Sequence, residues 1–307
     1  MASRTEARKR NASTAFLENL NLRRQKKVLN TPGLVRKMDG VTNGANGTNG
    51  ANSASAVPKT TYLVTGANRG IGKGLVAAFL LRPNSLVIAC VRNPEDKTSK
   101  ALGELPKGKN SSLITQKLDC SSETDPGSAI AALQSSHQIT KLDVVVANAG
   151  IAKYYGPTST LGLDHLKEHM TVNTYSVLLL FQACKALLEK STGEPKFVFI
   201  GAPISTITDM ESVARAPLGA YGVSKLAANY LVRKFHFENN WLISFIIDPG
   251  HVQTDMGDQG AKLMGRPEAP VTMERCIKGV TARIDEATKE KTSGHFVLHE
   301  DGSKVAW

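Results

Sequence analysis

The chain has no CxxC motif and no Cys/His cluster; its four cysteines, Cys90, Cys120, Cys184 and Cys276, are scattered. That spacing excludes a zinc site, so no metal is expected, and it excludes a disulfide framework, which fits a reducing compartment. There is no apolar signal-type segment and no run of 18 apolar residues, so neither secretion nor a membrane span is expected. The expectation is a cytoplasmic protein.

A basic stripe with interleaved aromatics is also missing, although the net charge is +11. The charge is concentrated at one end: residues 1–57 hold ten Lys or Arg against three Asp or Glu and so carry +7. The rest of the chain carries only +4, which gives no basis for nucleic-acid binding. Within the basic segment, Ala15–Leu29 has the spacing of a basic amphipathic helix, and Thr42–Asn52 is an Asn/Gly run with nothing to bury. Residues 1–57 are therefore expected to form a flexible extension, and residues 58–307 a single domain.

What is present from Thr60 onward is alternation. Short Val- and Ile-rich runs at Thr61–Val64, Leu86–Val91, Leu113–Leu118, Leu142–Ala147, Phe197–Ile200, Leu242–Ile247 and His295–Leu298 read as strands. Helical stretches lie between them, near 71–81, 124–137, 161–190, 219–238 and 272–284. Strands alternating with helices predict an α/β fold, a Rossmann-type doubly wound parallel sheet of about seven strands with helices on both faces.

In such sheets ligands bind beyond the carboxyl ends of the strands. After the first strand comes Thr65-Gly66-Ala67-Asn68-Arg69-Gly70-Ile71-Gly72, a glycine-rich turn opening a helix. It suits a pyrophosphate placed at a helix N-terminus. After the second strand, where an acid would hold a ribose 2′-hydroxyl, the chain reads Arg92-Asn93. Arg92 and Arg69 instead suit a 2′-phosphate, which favours NADP(H). Asp119, after the third strand, could accept from an adenine amino group or cap the next helix. Asn148-Ala149-Gly150, after the fourth, would let backbone pass close to a ribose. Asn173 is a polar amide in an apolar helix and needs partners. Tyr221 and Lys225, four residues apart, share one helix face, so an ammonium can reach a phenol and favour its phenolate.

Together, Thr65-x3-Gly70-x-Gly72, Asn148-Ala149-Gly150, Asn173, Tyr221-x3-Lys225 and Asp248-Pro249-Gly250 resemble the short-chain dehydrogenase/reductase family over Thr60–Trp307. The resemblance implies Tyr221 as general acid toward a substrate carbonyl, with Lys225 lowering its pKa and holding the nicotinamide ribose. It further implies that Asn173 holds a water in a proton relay, and that Pro249, Gly250, Val252 and Thr254 bind the carboxamide. Asp255–Pro270 would form a mobile lid over a small-molecule substrate, and a homodimer or homotetramer would form through the helices near 161–190 and 219–238. More narrowly, Asp248–Gly257 and Phe235–Glu238 resemble the subgroup that contains the norsolorinic acid ketoreductases, which implies NADPH-dependent reduction of a polyketide-like ketone.

Two departures qualify the resemblance. Ala147 stands where the family usually has a first asparagine, and Ala202, in Ile200-Gly201-Ala202-Pro203-Ile204-Ser205-Thr206, stands where it has a catalytic serine. Four readings follow: Tyr221 and the cofactor support a slower reduction without that hydroxyl, or Ser205 or Thr206 supplies it, or the site runs a non-redox cyclisation, dehydration or isomerisation, or the chain is a non-enzymatic nucleotide-binding protein.

Overall fold

In the computed structural model, which describes Lys59–Trp307, the Val- and Ile-rich runs pair side by side. The readings of residues 1–57 lie outside the described residues. The strands are β1 (Thr60–Thr65), β2 (Ser85–Val91), β3 (Ser112–Lys117), β4 (Val144–Ala147), β5 (Lys196–Ile200), β6 (Ile243–Asp248) and β7 (Phe296–Leu298). They form one sheet in the order β3-β2-β1-β4-β5-β6-β7, and every neighbouring pair is parallel. This is the doubly wound α/β fold expected.

A parallel sheet covered on both faces needs strands that are apolar without interruption. Successive residues face opposite sides, so the sheet feeds two cores. Tyr62, Val64, Val87, Ala89, Val146, Val198, Phe245 and Ile247 pack on one face with Leu75, Val76 and Phe79 of α1 (Gly70–Leu80). Leu63, Ile88, Val145, Phe197 and Phe199 pack on the other. Most of that second face is covered by helices further along the chain. These helices are the short α2 (Lys97–Lys100), α3 (Asp125–His137), α4 (Leu163–Met170), α5 (Ser176–Leu188), the short α6 (Met210–Val213) and α7 (Gly219–Glu238), of which α3, α5 and α7 supply the side chains that cover the second face. Phe181 of α5 stacks on Phe235 of α7 with ring centroids 3.9 Å apart, and Phe197 of β5 meets both edge-on. The remaining helices are α8 (Asp255–Leu263) and α9 (Met273–Glu286); Cys276, Val280 and Ile284 of α9 join α1 on the first face.

Two elements differ from the sequence reading. The single helix expected over 161–190 is interrupted by a π-helical turn, Thr171–Tyr175, that contains Asn173. The stretch expected as a mobile lid, for which the sequence predicts no helix, opens as α8, because the Thr254 hydroxyl accepts from the Gly257 N–H and caps the helix. Among the described residues, Leu163–Leu188 is the one helical stretch long and apolar enough to cross a membrane. Half of its most apolar window is buried inside this protein, where Val177, Leu180, Phe181 and Cys184 line the second core.

Candidate active site

The strand order reverses direction between β1 and β4, which opens a crevice at their carboxyl ends. Thr65, the last residue of β1, ties its rims together. Its Oγ1 accepts from the backbone N–H of Asn148 at 3.0 Å and of Ala149 at 3.1 Å, while the Asn148 amide donates to Thr65 O at 2.9 Å. Asn148 is thus spent on fixing two loops against each other, a task the sequence did not reveal.

The first loop is built for close approach. A Cβ on Gly72 would lie 2.2 Å from Gly66 O, so only glycine lets α1 start this near to β1. Gly70 has φ +53°, the left-handed conformation that favours glycine, and a Cβ there would meet Thr254 Cγ2 at 3.4 Å, so the turn lies against the Thr254 side chain. No side chain caps α1 and no acid lies in its first turn, leaving its orphan N–H groups for an anion. Ile71 lies in that first turn and packs against the first core. At the end of β2, Arg92 is exposed, and Asn93 holds Asp96 at 2.8 Å. Arg69 pairs at 3.5 Å with Asp255, both largely exposed, which a dianion could readily displace. Asn68 donates to Thr98 at 2.9 Å. Asp119 does not cap α3: its Oδ1 closes a turn over Ser121, accepting from that residue's N–H and hydroxyl, and the helix begins only at Asp125. These residues fit a phosphorylated dinucleotide.

On the other rim, α7 directs Tyr221, Lys225 and Asn229 inward at four-residue spacing. Lys225 is 3% exposed and its Nζ donates to Ile200 O at the end of β5 at 2.8 Å; it lies 5.7 Å from the Tyr221 ring centroid. A Cβ on Gly150 would sit 3.2 Å from Asn173 Oδ1 and 3.4 Å from Lys225 Nζ, so the loop after β4 touches both. Burial lowers the Lys225 pKa to about 7. Burial also raises that of Tyr221, with Tyr155 and Asp248 adding to the effect. The expectation that Lys225 depresses the tyrosine is therefore corrected: desolvation dominates, and the ammonium is aimed at a carbonyl rather than at the phenol.

Asn173 clamps two segments together. Its Oδ1 accepts from Ile151 N–H at 2.8 Å, and its Nδ2 donates to Ile151 O and to Ser224 Oγ, each at 2.9 Å. The side chain locks the loop after β4 onto α7: both of its N–H groups are spent there, and one lone pair of Oδ1 remains for a further donor.

After β5, Ala202 is buried and the chain turns through Pro203–Ser205. Ser205 is buried beneath that turn, donating to Ala202 O at 2.7 Å and accepting from Asn229 Nδ2 at 2.9 Å. Thr206 donates to Trp307 O at 3.1 Å. The proposed replacement is thus corrected as well: Pro203 tightens the loop so that both hydroxyls serve the fold. Downstream, Pro249 is buried, Gly250 has φ +80° and donates to Asp248 Oδ1 at 2.8 Å, and Val252 bridges Val271. The residue missed by sequence is Tyr155, whose hydroxyl is buried without a hydrogen-bond partner. Among the described residues no group of three or more His, Cys, Asp or Glu could hold a metal ion.

A parallel sheet with this crevice and an inward Tyr/Lys pair defines a Rossmann-type oxidoreductase. The family model for short chain dehydrogenase matches residues 60–262, and the chain belongs to that family. It is 70% identical over 250 residues, 81% of this chain and 93% of the relative, to norsolorinic acid ketoreductase nor1 of Dothistroma septosporum. It is 60% identical over 249 residues, 81% of this chain and 92% of the relative, to norsolorinic acid ketoreductase of Aspergillus parasiticus. Among solved structures, NADPH-bound carbonyl reductase from chicken fatty liver is similar with a TM-score of 0.70 and 27% identity, covering 82% of this chain and all of that one.

Proposed function

We propose that this protein is an NADPH-dependent ketoreductase acting on norsolorinic acid or a closely similar polyketide ketone, with Tyr221 as general acid. The observation that carries the reading is the convergence of Tyr221, Lys225, Gly150 and Asn173 at the carboxyl ends of β4 and β5. The two norsolorinic acid ketoreductases, at 60–70% identity, supply the substrate class.

The bound cofactor would supply hydride to the carbonyl carbon. Gly66 and Asn68 to Gly72 would cradle its pyrophosphate, Arg69 and Arg92 would pair with a 2′-phosphate, and Asp119 would face the adenine. Ala149, Gly150, Pro249, Val252 and Thr254 would flank the nicotinamide end. Tyr221 hands its proton to the carbonyl oxygen as negative charge develops there. A phenol whose pKa is raised by burial stays protonated at neutral pH, so the acid is loaded for reduction. Lys225 holds a cation near the ribose as long as the pH lies below its lowered pKa of about 7. Asn173 positions rather than reacts, by fixing Ile151 and Ser224.

Incubation of the purified protein with norsolorinic acid should consume NADPH one-for-one with alcohol formed, followed by near-ultraviolet absorbance. Tyr221→Phe should lose that activity, and full activity in this variant would sink the mechanism. Product without NADPH consumption would favour the non-redox alternative. We further propose that residues 58–307 form one domain. Val223, Tyr230 and Phe237, an exposed row at seven-residue spacing on α7, would pair with a second copy, which sedimentation would detect.

A further inference from the structure

Ala202 leaves the substrate oxygen without the hydroxyl that the family usually places after the fifth strand, and the loop after β4 carries one buried, unused hydroxyl. The Tyr155 oxygen is buried with no hydrogen-bond partner, an unfavourable state unless something arrives to pair with it. Its neighbour Tyr154 differs: that phenol lies within hydrogen-bond distance of Pro157 O and Thr160 Oγ1, at 3.0 Å each.

The loop that carries Tyr155 is pinned on both sides of it. Upstream, Ile151 is held by Asn173 through both backbone groups, and Lys153 N–H donates to His169 Nε2 at 3.1 Å. The Nδ1 of the same ring lies 2.6 Å from His165 O, which fixes that nitrogen as the donor and Nε2 as the acceptor. Downstream, Gly156 N–H donates to Pro217 O at 3.0 Å, and Gly156 forms a parallel bridge with Leu218. Leu218 is the residue that enters α7, three before Tyr221. Tyr155 is therefore fixed beside the entry of the helix that presents the general acid.

We propose that Tyr155 donates the second hydrogen bond to the ketone oxygen, the task a serine at position 202 would perform, so that the carbonyl is held between two phenols. This rests on the ketone-reduction reading above. Hydride from NADPH adds to the carbonyl carbon while the π pair moves onto oxygen. Tyr221 transfers its proton to that oxygen. Tyr155 keeps its own proton and stabilises the developing charge.

The test uses Tyr155→Phe, Tyr221→Phe and the double variant Tyr155→Phe/Ala202→Ser in the full chain, with norsolorinic acid and NADPH. Removing one donor to a developing oxyanion should lower kcat roughly 10²- to 10³-fold. NADPH affinity by fluorescence titration and the melting temperature should stay near wild type, while norsolorinic acid binds the NADPH-free protein more weakly. Serine at 202 should restore at least about tenfold of the lost rate, because it returns a hydroxyl to the same oxygen. Tyr155→Phe with activity within about threefold of wild type, while Tyr221→Phe is inactive, overturns the role of Tyr155 and leaves the ketoreductase reading standing. A loss that comes with weaker NADPH binding, a lowered melting temperature and no recovery from Ala202→Ser also overturns it, making Tyr155 a packing residue. Full activity in Tyr221→Phe removes the underlying reading and this proposal with it.

Discussion

Replacing Lys225 with methionine separates what this lysine does for the reaction from what its burial costs the fold. The side chain is 3% exposed, and desolvation lowers its pKa from 10.5 to about 7. At about 1.4 kcal/mol per pH unit, such a depression penalises the folded state by on the order of 5 kcal/mol. The penalty is complete below about pH 7, where folded and unfolded chains both bind the proton. Between about 7 and 10.5 the unfolded chain binds more protons than the folded one, so the penalty fades as pH rises. Methionine fills similar space without charge, but the Ile200 carbonyl loses its 2.8 Å donor, a cost of about 1–3 kcal/mol. Lys225→Met should therefore be inactive yet more stable than wild type by on the order of 2 kcal/mol at pH 7. Near pH 10 the order reverses, because only the lost hydrogen bond remains. Urea unfolding of both proteins across this range measures the difference. A gap that does not change with pH would refute the argument, since it would mean that the lysine is not held against its charge.

Ser205→Ala should keep kcat within about threefold of wild type but lower stability by about 1–3 kcal/mol, because Asn229 Nδ2 loses its acceptor; a rate loss of about 10²-fold would return Ser205 to the site. Removing Arg69 and Arg92 together should weaken NADPH binding by about 10- to 100-fold per arginine and leave NADH binding unchanged, as read by fluorescence titration; equal losses for both would show that neither meets a 2′-phosphate. Oxidation of the alcohol product requires the Tyr221 phenolate, which burial makes rare, so its rate should climb about tenfold per pH unit through pH 7–10. A plateau below pH 8 would show that the phenol is not held up.

The sheet was legible because its code is local. Runs such as Leu86–Val91 are apolar without a break, which in a parallel sheet covered on both faces is what each strand must be. The glycine turn and the Tyr221/Lys225 spacing were legible for a similar reason, since each is a short backbone or helix-face geometry. What could not be read depended on partners distant in sequence. Asn173 meets Ile151 across 22 residues and Ser224 across 51, and those bonds make it a clamp between two distant segments. Ser205 looked available until Pro203 turned it toward Asn229. The π-helical turn at Thr171–Tyr175 has no pattern of its own, because an apolar run around Asn173 reads equally well as continuous helix. Tyr155 carried no signal at all, since a tyrosine in a loop becomes noteworthy only when its hydroxyl is seen to be buried and unpaired.

The pairing of Tyr221 with Lys225 also changes meaning once burial is included. Read along a helix face, the lysine is a positive charge that draws a proton off the phenol. Folded, Lys225 is buried and Tyr221 largely so, and desolvation favours the uncharged form of each, raising the phenol and lowering the ammonium. The two shifts work together. A neutral phenol is the competent acid, and a lysine poised near pH 7 can take up charge when a partner rewards it and release it otherwise. The Ile200 carbonyl is a neutral acceptor and the Phe199 ring, 4.5 Å away, a neutral π face, so the lysine is oriented without a carboxylate to pair its charge. The site is arranged to give up a proton rather than to hold an anion, and the second donor it needs is one that can also remain neutral when buried. A phenol at position 155 meets that condition, whereas a charged side chain in the same place would disturb the protonation of Tyr221 that reduction depends on.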